Sequence, residues 1–200
     1  MEYNSLKKEI ISSRKLSLLD KFVVDFIRVL RKHIDYVIIS GYVSILLGRT
    51  RVTEDIDIFI KRINKEQFSK LYEELKEKGF WCLNAEKTDE IYSFLEDGLA
   101  VRFAKQNNSI PNIEMKFPKD ALDEDAFNDS INVVLSEDTL KISSFERHIA
   151  FKRYFLSSDK DIEDALHIEE LFKEYIDTEK IKNIKKLIEN RKNGAKKNFS

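Results

Sequence analysis

From Ser17 to His33 the apolar residues Leu18, Leu19, Phe22, Val23, Phe26, Ile27, Val29 and Leu30 recur at three and four positions, which predicts a helix with one face in a core and Ser17 at its cap. The β-branched run Tyr36-Val37-Ile38-Ile39 predicts a short strand ending at Ser40-Gly41. Tyr42 to Gly48 then reads as a short helix stopped by its glycine. After the polar link Arg49 to Glu54, Ile56 to Ile60 is a second strand. Asn64 with Gln67 three residues on is a capping box for a helix that carries Phe68, Leu71 and Leu75 and runs to Gly79. Phe80 to Leu83 reads as a strand, while Ala85 to Glu96 leaves helix and strand open. Leu99 to Ala104 and Ile113 to Phe117 alternate across a polar loop holding Asn107-Asn108-Ser109 and Pro111, the pattern of a hairpin. A helical turn near Asp120 to Phe127, a β-like run Ile131 to Leu135, and helical stretches near Ser144 to Leu156, Lys160 to Tyr175 and Glu179 to Arg191 complete the chain. Mixed elements first and helices last predict an α+β fold: a mixed-sheet domain over 1–142 with a helical carboxy-terminal unit, 143–200, packed on it.

With 200 residues and only five Gly and two Pro, the chain has room for one well-formed core and little for unstructured linkers. Its 35 basic and 36 acidic side chains nearly cancel, which excludes a polycation that coats nucleic acid. The single cysteine, Cys82, excludes an internal disulfide framework and an all-cysteine zinc site, and beside Trp81 it reads as a core thiol. His33, His148 and His167 have no partner histidine four residues away, so no zinc pair is expected. No apolar run approaches the roughly 20 residues of a bilayer span, and Met1-Glu2-Tyr3-Asn4 lacks the order of a secretion signal, so the expected setting is cytoplasmic, without a membrane partner. Residues 178–200 hold eight Lys/Arg against two Asp/Glu. That run is either a solvated last helix or an electropositive rim for RNA or polyphosphate.

The chemistry concentrates near the second strand. In Asp55-Ile56-Asp57 the period of two puts both carboxylates on one face, close enough to share a divalent cation that neutralises their repulsion; otherwise both hang at an exposed strand mouth. Ser40-Gly41 lies where a strand turns into a helix, and free N–H groups at a helix amino end suit phosphate. Taken together, the run from Ile38 through Ser40-Gly41, Gly48, Arg51-Val52-Thr53 and Asp55-Ile56-Asp57 to Ile60 resembles the signature of the nucleotidyltransferase superfamily, with its polymerase-β-like palm. It is similar in particular to small prokaryotic members related to abortive-infection and type IV toxin–antitoxin nucleotidyltransferases. Ser40 stands where the first glycine of the family's pair is usual, and Tyr42 follows where a small residue is usual.

The resemblance implies a palm that moves an NMP from an NTP to an acceptor hydroxyl (RNA or tRNA, protein or small molecule) with Mg2+, or Mn2+ in its place. A partner protein of a toxin–antitoxin pair is a further implication. Asp55 and Asp57 would be metal ligands, and Glu114, set with Lys116 on one face of Ile113 to Phe117, would be the third carboxylate. Ser40, Gly41, Arg51 and Thr53 would belong to the nucleotide site. Ser143 to Lys152 followed by Lys160-Asp161-Ile162-Glu163-Asp164 resembles the family's second block, which implies that Lys152 and Asp161 approach the nucleotide, Lys152 as a cation for phosphate. Asp161 is equally suited to cap its helix. Tyr42 and Tyr154 are candidates to stack on a base. Two other readings stand beside this one. Glu114-x-Lys116 with an upstream aspartate resembles the metal site of restriction-type nucleases, although 57 positions part Glu114 from Asp57. The altered glycine pair also suits a nucleotide-binding or antitoxin-like module without transfer.

Overall fold

The computed structural model describes residues 1–197. Two strands, β1 (Glu2–Asn4) and β2 (Glu9–Ser12), precede α1 (Leu18–His33), and β3 (Tyr36–Ile38), α2 (Gly41–Leu46) and β4 (Asp55–Ile60) follow. Next come α3 (Lys65–Glu77), β5 (Phe80–Cys82), α4 (Thr88–Glu96), β6 (Val101–Lys105), β7 (Asn112–Lys116) and α5 (Ala121–Asn128). The chain ends in β8 (Ile131–Leu135), β9 (Asp138–Ile142), α6 (Phe145–Phe151), a π-helical turn (Lys152–Leu156), α7 (Asp159–Leu171), a 3-10 turn (Lys173–Tyr175) and α8 (Thr178–Lys197).

The helix starts follow local chemistry. Ser17 accepts from the Asp20 amide while the Asp20 carboxylate takes the Ser17 amide, and Asn64 and Gln67 do the same for α3. The segment left open at 85–96 becomes α4, with Ile91, Tyr92 and Leu95 buried. Strands β1, β2 and β9 were not expected. Asp138 to Ile142 does alternate, burying Leu140 and Ile142 after the turn at Ser136, but β2 has only Ile10 and Ile11 to mark it.

The strands form one mixed sheet in the order β1-β2-β8-β9-β3-β4-β7-β6-β5. At its centre β4 runs parallel to β7 and antiparallel to β3. On β4, Ile56, Ile58 and Ile60 are buried in the main core, which also takes Phe22 and Phe26 of α1 and Phe68 and Leu71 of α3. Phe59 joins Val37, Ala126 and Phe127 in a separate small cluster. By the two-residue period, Asp55 and Asp57 share the face of Phe59.

A buried charge cluster ties the last helices to the first site segment. Asp164 on α7 is fully buried and receives Lys152 at 2.9 Å, Arg51, and Arg49 in an ion pair at 2.9 Å that lacks hydrogen-bond geometry. Lys152, also buried, donates to Asp161 at 2.6 Å, and Asp161 completes the capping box with Ser158 at the start of α7. Asp161 is therefore both cap and ion-pair partner. Burial opposes its charge, but Lys152 and Ser158 outweigh that and hold its carboxyl below the usual range.

Helix α8 buries Ile181, Ile184 and Ile188, leaves Leu187 exposed, and packs on α6 and α5. The last three residues of the basic stretch lie outside the described residues. No helix among the described residues is long and apolar enough to cross a membrane.

Removing one partner from a buried ion network strands the others in low dielectric. Asp164→Ala should therefore lower unfolding stability by about 3–5 kcal/mol, read from urea denaturation, with Asp164→Asn losing less.

Candidate active site

The parallel pairing of β4 with β7 sets the register. Asp57 lies opposite Glu114 and Asp55 opposite Asn112. The carboxylates expected from two stretches far apart in sequence thus meet side by side, on the face not covered by the main core. The 57 positions between Asp57 and Glu114 do not part them, because α3, β5, α4 and β6 fold between and return the chain to the adjacent strand. That separation is consequently no argument against the nuclease-like pairing.

Each carboxylate has a partner. Asp55 is exposed and accepts from Asn112 Nδ2 at 2.7 Å. Lys116 Nζ stands 3.2 Å from Asp57 Oδ1 and 3.5 Å from Glu114 Oε1, and the other oxygen of Glu114 takes Arg102 at 2.8 Å. Burial opposes the charge of Lys116, but Asp57 and Glu114 outweigh it and hold its pKa above the usual lysine value. Among the described residues no three His, Cys, Asp or Glu side chains are gathered as an ion-binding set. The donors are nonetheless the hard oxygens that Mg2+ and Mn2+ take, and the ammonium of Lys116 stands as a cation between two of them.

Asp57, Glu114 and Lys116 line a cavity of about 390 Å³, within the size range of small-molecule sites. Ser40, Arg147, His148 and Lys152 line it as well, with an apolar wall from Leu122, Phe151, Phe155 and Leu156. Arg191 of α8 also lines it, bound to Asp123 at 2.8 Å and over the Phe155 ring at 5.9 Å. Of the basic stretch, Arg191 lines the cavity, and sequence reasoning missed Arg191, Arg147 and Phe155 because nothing local marks them.

Ser40 has φ 64° and ψ −145°, a conformation that suits glycine, where the family pattern itself has glycine. At Gly41 the constraint is different: a Cβ there would lie a tight 3.1–3.3 Å from the Arg51 guanidinium. Arg51 packs on that glycine and pairs with Asp164, while the Thr53 hydroxyl donates to the Asp55 carbonyl at 2.9 Å. Neither is a cavity residue; both brace the loop that leads into β4. Tyr42 is fully buried, donating to Asp20 at 2.7 Å, which corrects its expected stacking role and leaves the turn uncrowded. Tyr154 is half-buried with Lys185 over its ring at 4.8 Å and does not line the cavity.

Solved structures of known proteins share this arrangement of strands and helices. The antibiotic-resistance factor ANT(2'')-Ia, in solution, superposes with a TM-score of 0.56 at 13% identity over 90% of this chain and 95% of that one. The chain has the nucleotidyltransferase fold. A crystal structure of ANT(2'')-Ia in complex with adenylyl-2''-tobramycin gives a TM-score of 0.51 at 12% identity, covering 88% of this chain and 99% of that one. An antigenic nucleotidyltransferase-like protein from Paracoccidioides brasiliensis gives 0.51 at 15% identity, over 88% and 90%. No protein-family model matches the sequence, and no curated protein matches it.

His148 is a wall residue of the cavity. It is buried, its Nε2 is 2.9 Å from Ser44 Oγ, and burial together with nearby Lys152 lowers its pKa to about 3. A histidine whose folded pKa lies below its ordinary value favours folding fully above about pH 6.5, and that contribution fades as pH falls. Urea midpoints should therefore drop between pH 7 and pH 5.5 in the wild type, by the equivalent of about one proton taken up on unfolding. The slope should flatten in His148→Gln. Separately, Ser40→Gly should raise stability by about 1 kcal/mol, because the left-handed strain it relieves exceeds the entropy glycine adds to the unfolded chain; thermal denaturation checks it.

Proposed function

We propose that the chain is a divalent-cation-dependent nucleotidyltransferase that moves an NMP from an NTP to an acceptor hydroxyl and releases pyrophosphate. The observation that carries this reading is the register of β4 on β7, with Asp57 beside Glu114 and Asp55 two residues before, at a cavity under the Ser40 turn in a nucleotidyltransferase fold. The adenylyl-tobramycin complex of ANT(2'')-Ia supports adenylyl chemistry for a neighbour of this fold.

In this reading Asp55, Asp57 and Glu114 would hold Mg2+ or Mn2+, which when bound would supply neutralisation of triphosphate charge and acidification of the acceptor hydroxyl. The acceptor oxygen would attack the α-phosphorus, the bond from that phosphorus to the bridging oxygen of the β-phosphate would break to release pyrophosphate, and the hydroxyl proton would pass to water. Backbone N–H groups at Ser40-Gly41 receive the phosphates, and the Lys152 ammonium, held by Asp161 and Asp164, meets the charge of the departing pyrophosphate. Arg51 and Thr53 act on the nucleotide by fixing the Gly41 turn and the start of β4. Phe155, with Arg191 above it, is the aromatic surface for a base. The acceptor is RNA, a protein or a small hydroxyl compound.

A second reading, a nucleotide-binding module without transfer, draws on Lys116 lying between Asp57 and Glu114. The two separate cleanly. Purified protein with Mg2+ and each α-labelled NTP, offered RNA, protein and small acceptors in parallel, should transfer label, and Asp57→Asn should reduce transfer at least about 100-fold while circular dichroism remains unchanged. NTP protection without transfer, unaltered by Asp57→Asn, supports the second reading. DNA and RNA cleavage in the same tubes would support the nuclease alternative.

A further inference from the structure

The three acidic side chains, Asp57 and Glu114 in the cavity wall and Asp55 two residues before Asp57, are not waiting as bare anions. Asp55 is engaged by Asn112, and Asp57 and Glu114 share one ammonium from the strand that carries Glu114 itself. Lys116 reaches them because β7 places it opposite Phe59, one pleat beyond Asp57, and its charge also lies 5.8 Å from the Phe59 ring centroid. All three side chains of the triad are about one-fifth exposed, so the pairs are neither deeply buried nor fully solvated.

From this geometry we propose that Lys116 is an internal counter-cation that holds Asp57 and Glu114 until a divalent ion displaces it, so that a free ion binds weakly and binds best together with an anionic ligand. The inference rests on the reading of these carboxylates as metal ligands. An ion that takes Asp57 Oδ1 and Glu114 Oε1 removes both partners of Nζ, and two positive charges cannot share so small a space. The ammonium sits on a flexible four-carbon stem and lines the cavity, so once released it faces the space where a triphosphate enters. Anion binding then stabilises the released ammonium, and by linkage the anion strengthens ion binding as much as the ion strengthens anion binding. Glu114 keeps Arg102 on its other oxygen throughout, which holds it in register when Lys116 leaves.

The test titrates the full chain with Mn2+ alone, reading free ion by its electron paramagnetic resonance signal. Lys116→Met and Lys116→Gln should each bind Mn2+ about tenfold more tightly than wild type, the effect of removing roughly 1.4 kcal/mol of competition. Lys116→Arg should stay near wild type, and adding Asp57→Asn to Lys116→Met should erase the gain. Circular dichroism establishes folding, and two neutral variants guard against the failure of one. Measurable wild-type binding with equal or weaker affinity in both neutral variants overturns the role of Lys116 and leaves the metal reading standing. No binding by wild type or either variant at millimolar Mn2+, with or without added pyrophosphate, overturns the metal reading, and this inference with it.

Discussion

A carboxylate removed from water must be matched by positive charge, and Asp164 is matched by three basic side chains drawn from two distant parts of the chain. Arg49 and Arg51 come from the link into β4, and Lys152 from the π-helical turn after α6. One anion thereby fixes the turn at Gly41, the approach to Asp55, and the position of α7. The same contact makes Gly41 a tight position, since a Cβ there would press on the Arg51 guanidinium.

With those segments pinned, the sheet decides the rest of the site. Parallel β4 and β7 bring Asp57 and Glu114 together, and the two-residue period turns them away from the isoleucines of the main core. The cavity then forms between this sheet face and α5, α6, the π-helical turn and α8. Most charges in it are already paired, Arg147 with Asp129, Arg191 with Asp123 and Lys152 with Asp161, so binding there exchanges partners instead of filling an empty field.

Ser40 shows how a local rule is broken without loss of the fold. A glycine-type backbone conformation is kept by a serine, and the surrounding strand hydrogen bonds, Ile39 to Asp57 and Ser143 to Ile38, leave the turn no alternative. Tyr42, the other departure from the family pattern, is absorbed differently: its ring goes into the core and its hydroxyl to Asp20, so it never reaches the cavity.

Much of this was legible in the residues alone. The periodic stripe of α1, the capping residues Ser17 and Asn64, the strands around Val37 and Ile58, the hairpin of β6 and β7, and the shared face of Asp55 and Asp57 all follow from spacing, because backbone geometry acts over a few residues. The short strands β1 and β2 were not legible, since β2 is held by β8 beside it and β1 by β2, not by their own composition. Nor were the ion pairs of Asp164, the place of Lys116 between Asp57 and Glu114, or the entry of Arg191 into the cavity wall. Spacing along the chain states which residues share a face of one element; which element lies against it depends on sheet order and helix packing, and only the tertiary structure decides that.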